Sequence, residues 1–236
     1  MHPIRPPART IPVGLGRTVA AAGLLVLGSG LAMAADRFER TDIHLERNVQ
    51  DGDAELKIDV IAGSAGLAAL QVKAPDGRTV LDLRSPDSRL GMRRYTLESP
   101  EPRNDGSLQA DFPEGTYQFT GTTKNGGSLT GQAVLSHAFP APVSVLAPGD
   151  GGRNLPLDGL QIRWNLPIDA ASLIVLVEQE ETGRQVSATL PGSATSFTVP
   201  AGFLTPGTEY KLAVGSVARS GNQTVTESSF TTAPRK

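Results

Sequence analysis

The sequence predicts an all-β protein with two β-sandwich domains in tandem, preceded by a cleavable signal peptide. Runs of four to eight residues alternate apolar and polar side chains along most of residues 36–234, which is the period of a half-buried strand. Clusters of Gly, Pro, Asn and Asp separate these runs, as turns separate strands. The roughly 200 residues after position 35 are enough for two domains of ordinary size.

The first 34 residues predict an export signal. Three arginines and no acidic residue precede an apolar stretch at residues 19–27, and small residues then end in Ala32-Met33-Ala34. This order of charged, apolar and small residues is typical of a signal peptide cut after Ala34. The alternative is an uncleaved anchor, but a membrane-spanning helix needs about 20 apolar residues. We therefore expect an exported protein, periplasmic or extracellular, with no membrane attachment after cleavage.

Charge and cysteine content limit the possible partners. The whole chain has a formal charge of −2, and loss of three arginines with residues 1–34 changes this to about −5. A mildly acidic surface does not favour binding to nucleic acid. Because the chain has no cysteine, its domains must be held by their cores rather than by disulfides.

The first domain is placed at residues 36–139. Leu56, Ile58 and Val60 alternate with polar residues, and a turn at residues 74–77 predicts a hairpin. Residues 64–70 permit either a short helix or a strand, and a strand is favoured at their end.

An interruption of the apolar pattern and a proline-rich segment mark the rest of this domain. Residues 99–112 are rich in Pro, Glu, Asn, Asp and Gly, which predicts a long exposed loop. The boundary between the domains is placed at Phe139-Pro-Ala-Pro142. Such a short, proline-stiffened linker should restrict how the two domains are oriented.

The second domain, residues 141–234, contains the most specific pattern in the chain. Trp164 lies in a predicted strand, and residues 173–177 form an apolar run that predicts a central strand. The segment 204–214 has the pattern Leu-x-Pro-x-Thr-x-Tyr-x-Leu-x-Val, with Tyr210 as its tyrosine. This domain resembles the fibronectin type III family, which implies seven strands, a core tryptophan and a tyrosine whose hydroxyl bonds nearby backbone. The family's integrin-type Arg-Gly-Asp loop is absent.

The first domain shows a weaker version of the same tyrosine pattern. Pro113-Glu-Gly-Thr-Tyr117 precedes a predicted strand, as Pro206-Gly-Thr-Glu-Tyr210 does in the second domain. This predicts that the first domain is an immunoglobulin-like sandwich with the same corner.

No catalytic, cofactor-binding or metal-binding residues are predicted. Residues 35–236 contain no cysteine and only two histidines, His44 and His137, which we interpret as surface or partly packed residues. Asp51, Asp53 and Glu55 have a spacing that permits calcium binding, although Asp-Gly-Asp is also typical of a turn.

Other charged and aromatic residues give only weak indications. Glu178, Glu180 and Glu181 are interpreted as a solvated strand end rather than paired catalytic acids. Arg93 and Arg94, beside Glu98 and Glu101, permit an anion site, but a cross-strand charge lattice is favoured. Sugar-binding sandwiches stack rings on exposed aromatics. Trp164, Tyr117, Tyr210, Phe119 and Phe197 are predicted to point inward, whereas Phe38, Phe112 and Phe203 are predicted to be free.

The sequence therefore favours a non-enzymatic exported protein that acts by contact with a protein or a cell-envelope polymer. The alternatives are an accessory carbohydrate-binding or hydrolase-associated module and a calcium-stabilised structural domain. A β-sandwich hosts many functions, so the resemblance does not identify the partner.

Overall fold

The computed structural model describes residues 36–87, 89–165, 167 and 169–235. The predicted signal peptide lies outside the described residues. Among the described residues, no helix is long and apolar enough to span a membrane.

The described residues are all-β, as the sequence predicts, apart from one short helix. The elements of the first sandwich are β1 Asp36–Arg37, β2 Arg40–Asn48, β3 Ala54–Ile61, β4 Leu67–Lys73, β5 Thr79–Arg84, β6 Arg94–Glu98, α1 Asp105–Asp111, β7 Gly115–Thr123 and β8 Ser128–Leu135. Those of the second are β9 Val145–Ala147, β10 Gly152–Leu155, β11 Gln161–Trp164, β12 Ser172–Gln179, β13 Arg184–Pro191, β14 Ser196–Thr198, β15 Glu209–Val217 and β16 Gln223–Thr232.

The two sandwiches share one strand arrangement. In the first, β2-β3-β6 faces the strands β5-β4-β7-β8, with β1 added beside β8. In the second, β9-β11-β14 faces β13-β12-β15-β16, with β10 added beside β16. A three-stranded layer therefore packs on a four-stranded layer in both sandwiches, which bears out the prediction of two sandwiches in tandem.

Each sandwich has its own apolar core, built by strands that alternate inward and outward residues. In β3 the buried residues are Ala54, Leu56, Ile58 and Val60, and they belong to the first core. In β12 the buried residues Leu173, Val175 and Val177 belong to the second core. The strict period of two is what a sheet with one face on the core requires.

The expectation of a long exposed loop at residues 99–112 holds only for its first half and is wrong for its second half, which helix α1 occupies. Asn104 caps this helix, since its side-chain oxygen accepts a hydrogen bond from the Ser107 amide at 3.0 Å. Leu108 is 1% exposed and fixes the helix to the first core. A seven-residue helix with one buried residue leaves no helical periodicity in the sequence.

The prediction of three free aromatic residues is also wrong. Phe38 is buried in the first core, where Gly121 and Gly131 leave space for its ring. Phe112 packs against the same core. Phe203 is buried in the second core, with its ring centroid 5.8 Å from that of Tyr210.

Candidate interaction site at the junction of the two sandwiches

A single β-sheet runs from one sandwich into the other. Strand β2 pairs in parallel with β16, with Gln223 opposite Glu46 and Val225 opposite Asn48. The sheet has eight strands: seven lie in the order β13-β12-β15-β16-β2-β3-β6, and the eighth, β10, pairs with β16. Backbone pairing at a sheet edge orients the joined elements more firmly than a flexible linker does, because several hydrogen bonds must break together.

Asn222 is the central polar residue of this junction. Its side chain is fully buried, and its Oδ1 accepts a hydrogen bond from the Leu45 amide at 2.9 Å. Its Nδ2 donates to the carbonyls of Ser136 and Ala138, at 2.7 and 2.9 Å. The Asn222 side-chain amide therefore binds both strand β2 and the segment that follows β8. Its oxygen and both of its N–H groups have hydrogen-bond partners, as a buried polar group requires.

His44 makes a second polar contact across the junction. Its Nδ1 lies 2.8 Å from Asp42 Oδ2, and its Nε2 lies 3.1 Å from Gln223 Nε2. Burial alone would raise the pKa of Asp42, but the hydrogen bond and charge of His44, together with Arg40, hold it below its ordinary value. His44 is only 4% exposed, so it is buried at the junction and is not the surface or partly packed residue that the sequence suggested.

The linker between the sandwiches is held by hydroxyl groups of the second sandwich. Thr224 Oγ1 donates to the Pro140 carbonyl at 2.8 Å, and Ser216 Oγ donates to the Ala141 carbonyl at 2.6 Å. Thr226 Oγ1 donates to the Val143 carbonyl at 2.8 Å. A segment with two prolines forms few ladder hydrogen bonds, so these hydroxyls satisfy its carbonyls instead.

An apolar groove opens on the outer face of the long sheet, beside the junction. Its volume is about 460 Å³, and its apolar lining includes Ile174, Leu176, Ala213 and Val225. Glu46 and Glu227 line the same groove. We call this feature the junction groove.

An acidic pocket continues from the junction groove and shares both glutamates with it. It has a volume of about 160 Å³ and is also lined by Asp51, Asp53 and Glu101. The charge of Asp53, then desolvation and the charge of Asp51, raise the pKa of Glu101. Among the described residues, no group of three or more acidic, histidine or cysteine side chains has the geometry to hold a metal ion.

The structure places the remaining predicted residues in local structural contacts. Asp51 closes its own turn, because its Oδ1 accepts from the Asp53 amide at 3.1 Å. His137 Nε2 lies 2.8 Å from the Phe112 carbonyl, and Glu180 pairs with Lys211.

The expected charge lattice involves other partners. Arg93 donates to the Gly63 carbonyl at 3.4 Å. Lys57, in β3, lies within 3.3 Å of carboxylate oxygens of Glu46, Glu55 and Glu98. Desolvation lowers the pKa of Lys57, but these three carboxylates more than offset it and raise it.

Both corner tyrosines bond backbone, as the sequence patterns predict. Tyr210 is the second residue of β15, and its hydroxyl accepts a hydrogen bond from the Thr205 amide at 2.9 Å. Tyr117 is fully buried, and its hydroxyl donates to the Pro113 carbonyl at 3.1 Å. Trp164 lies in β11, the middle strand of the three-stranded layer of the second sandwich, and is 2% exposed. The second sandwich therefore has a fibronectin type III-like fold.

The chain is similar to known proteins at the level of solved structures. No family model and no curated protein matches the chain. Among solved structures, it is similar to the FN1–FN3 domains of chicken CNTN1, with 13% identity and a TM-score of 0.35, over 84% of this chain and 65% of that one. It is also similar to fibronectin(III)-like modules of Clostridium thermocellum CbhA, with 10% identity and a TM-score of 0.32, over 86% and 92% of the two chains. A two-domain fibronectin type III segment of chicken tenascin has 14% identity and a TM-score of 0.32, over 84% and 100%.

Proposed function

We propose that this chain is a non-enzymatic exported module that acts by contact, as one rigid two-sandwich body, in the cell envelope or outside the cell. The observation that carries the proposal is the junction, where a shared sheet and the buried Asn222 fix one sandwich on the other. A fixed junction keeps a binding face that spans both sandwiches in one shape, which reduces the entropy lost on binding.

The hydrogen-bond partners of the two histidines, His44 and His137, support a structural role for these residues. The ring nitrogens of His44 face Asp42 and Gln223, and His137 Nε2 faces a backbone carbonyl. Nucleophilic catalysis needs a base beside an activated hydroxyl or thiol. The histidines of residues 36–235 instead hold the fold together.

Export is supported by the pattern of residues 1–34, with its arginines, apolar stretch and Ala-Met-Ala end. Detection of a mature protein that begins near Ala35, by mass spectrometry of the intact protein from the host, tests this part.

The aromatic residues count against the carbohydrate-binding alternative. All eleven aromatic residues of the chain lie within the described residues, and each belongs to or packs against one of the two cores. Ring stacking on sugars needs exposed aromatic faces, and here the rings are used in packing.

Photo-crosslinking in the native compartment tests the contact role. A photoreactive amino acid replaces Ser187, which is exposed and lines the junction groove. The matched control replaces Thr122, which is exposed on a strand of the first sandwich. We expect a specific protein or polymer adduct from position 187 and none from position 122. Absence of any specific adduct at position 187, and at further positions around the groove, would contradict the proposal.

A further inference from the structure

A basic segment with an exposed apolar side chain connects β5 to the start of β6 in the first sandwich. It comprises Arg89–Arg94, with the sequence Arg-Leu-Gly-Met-Arg-Arg, and we call it the basic tip. Leu90 is 63% exposed, one of the most exposed large apolar side chains among the described residues. Arg89, Arg93 and Arg94 flank it. Arg89 pairs with Asp87 at 3.1 Å, so the positive charge beside Leu90 that is not already paired comes from Arg93 and Arg94.

The base of the tip is fixed, which holds Leu90 outward. The amide and carbonyl of Met92 exchange hydrogen bonds with Leu67, at 3.0 and 2.9 Å. Gly91 lies against Gly66, where an added Cβ would come within 3.2 Å of the Gly66 Cα. Met92 packs on the first core, whereas Leu90 has no such role.

The junction groove is complementary to this tip. Ile174, Leu176 and Val225 offer an apolar lining, and Glu46 and Glu227 supply negative charge beside it. Glu46 shares Lys57 with other carboxylates, but Glu227 has no ion pair within the described part of the chain. An apolar side chain next to guanidinium groups matches both properties of the groove.

The tip of one molecule cannot enter the groove of the same molecule. Arg94 pairs with Ile61, which lies opposite Arg40 at one end of β2. Glu46 lies six residues further along β2, at the end that pairs with β16. At about 3.3 Å per residue these ends are about 20 Å apart, so occupation of the groove by a tip requires a second molecule.

We propose that the protein associates head to tail, with the basic tip of one copy docked in the junction groove of the next. This inference rests on the proposed contact function and names a second copy of the chain as the partner. Because the two surfaces differ, the contact is heterologous and adds copies in one direction, into open chains or rings. The contact is small, so each link is weak, and its pairing of arginines with glutamates makes it sensitive to salt. Where many copies lie close together, their high effective concentration raises the fraction of grooves that are occupied.

Sedimentation velocity over a concentration series, with protein of residues 35–236, tests the proposal. We expect the weight-average mass of the wild type to rise with concentration and the association constant to fall when salt is raised. Leu90→Asp and Glu227→Lys should each weaken association at least about tenfold, the factor that corresponds to 1.4 kcal/mol. Val134→Asp is the matched control for the first variant, because Val134 is 62% exposed on another strand. Glu181→Lys is the charge-matched control for the second, at an exposed turn.

Mixing the two defective variants tests the heterologous geometry. The Leu90→Asp protein retains a groove and the Glu227→Lys protein retains a tip, so an equimolar mixture should form dimers and no larger species. A synthetic peptide of residues 89–94 should compete with wild-type association, and its Leu90→Asp version should not.

Three results would overturn the proposal: a wild type that stays monomeric at all concentrations and low salt, association that Val134→Asp reduces as much as Leu90→Asp, or a mixture with no dimer. A groove that binds another protein and not the tip appears as a positive crosslink at position 187 with a monomeric wild type. That outcome rejects head-to-tail association and leaves the contact function in place.

Discussion

Replacement of Asn222 by alanine removes the polar centre of the junction. The substitution deletes three hydrogen bonds, to the Leu45 amide and to the carbonyls of Ser136 and Ala138. Leu45 is fully buried, so its amide loses its partner without access to water. A buried donor without a partner costs about 1–3 kcal/mol, and each lost hydrogen bond contributes about 1 kcal/mol. We therefore expect Asn222→Ala to lower the free energy of unfolding by about 3 kcal/mol.

Urea denaturation and calorimetry measure this loss. For a chain of this size, about 3 kcal/mol corresponds to a decrease in Tm of roughly 6–12 °C. Asn125→Ala is the matched control, because Asn125 is exposed in the turn between β7 and β8, and we expect a change within about 0.5 kcal/mol. A loss below about 1 kcal/mol for Asn222→Ala, or equal losses for both variants, would refute the role assigned to Asn222.

Three further predictions concern the first core and the tyrosine corners. Leu108→Ala should destabilise the first sandwich by about 2–5 kcal/mol in urea denaturation, because it empties a buried site, whereas Gln109→Ala on the exposed side of α1 should be nearly neutral; equal effects would contradict the helix anchor. Tyr210→Phe should cost more stability than Tyr117→Phe, because it leaves the Thr205 amide without its acceptor while the other change removes only a donor to a carbonyl; the reverse order in denaturant titrations would be inconsistent with these bonds. Burial raises the pKa of Tyr117 to about 12, above the value of about 10 expected in the unfolded chain. The corresponding stability is present below pH 10 and is lost as the pH rises through 12, so the stability curve of Tyr117→Phe should fall less steeply in that window, and parallel curves would refute this linkage.

Local patterns predicted the strands because burial on one face imposes a period of two. The alternation of Leu56, Ile58 and Val60 is visible in sequence and equals the buried face of β3. The corner patterns predicted the backbone bonds of Tyr117 and Tyr210, since each tyrosine lies within five residues of its partner. Such features are encoded within a few neighbouring residues.

The junction could not be predicted because its contacts join residues far apart in sequence. Asn222 and Leu45 are 177 positions apart, and nothing near either residue indicates the other. In sequence, Asn222 begins an Asn-Gln-Thr glycosylation pattern, but its side chain is fully buried. His44 was interpreted as a surface or partly packed residue, but it is only 4% exposed, and only the fold shows that Gln223 is its neighbour.

The predictions that Phe38 and Phe203 are exposed failed for a related reason. Phe38 occupies space that Gly121 and Gly131 leave on β7 and β8, and small residues on a partner strand give no signal at the position of the ring. Phe203 lies in a loop before β15, outside any alternating run, and is buried by Tyr210 and the second core.

The central claim is that the two sandwiches form one rigid body, and residual dipolar couplings of backbone amides test it most directly. Couplings from residues 36–135 and from residues 145–232 are fitted separately in a weakly aligned sample. A fixed junction predicts one alignment tensor, with the same magnitude and orientation for both sets. Tensors that differ in magnitude, with a smaller one for either sandwich, would show independent motion and contradict the claim.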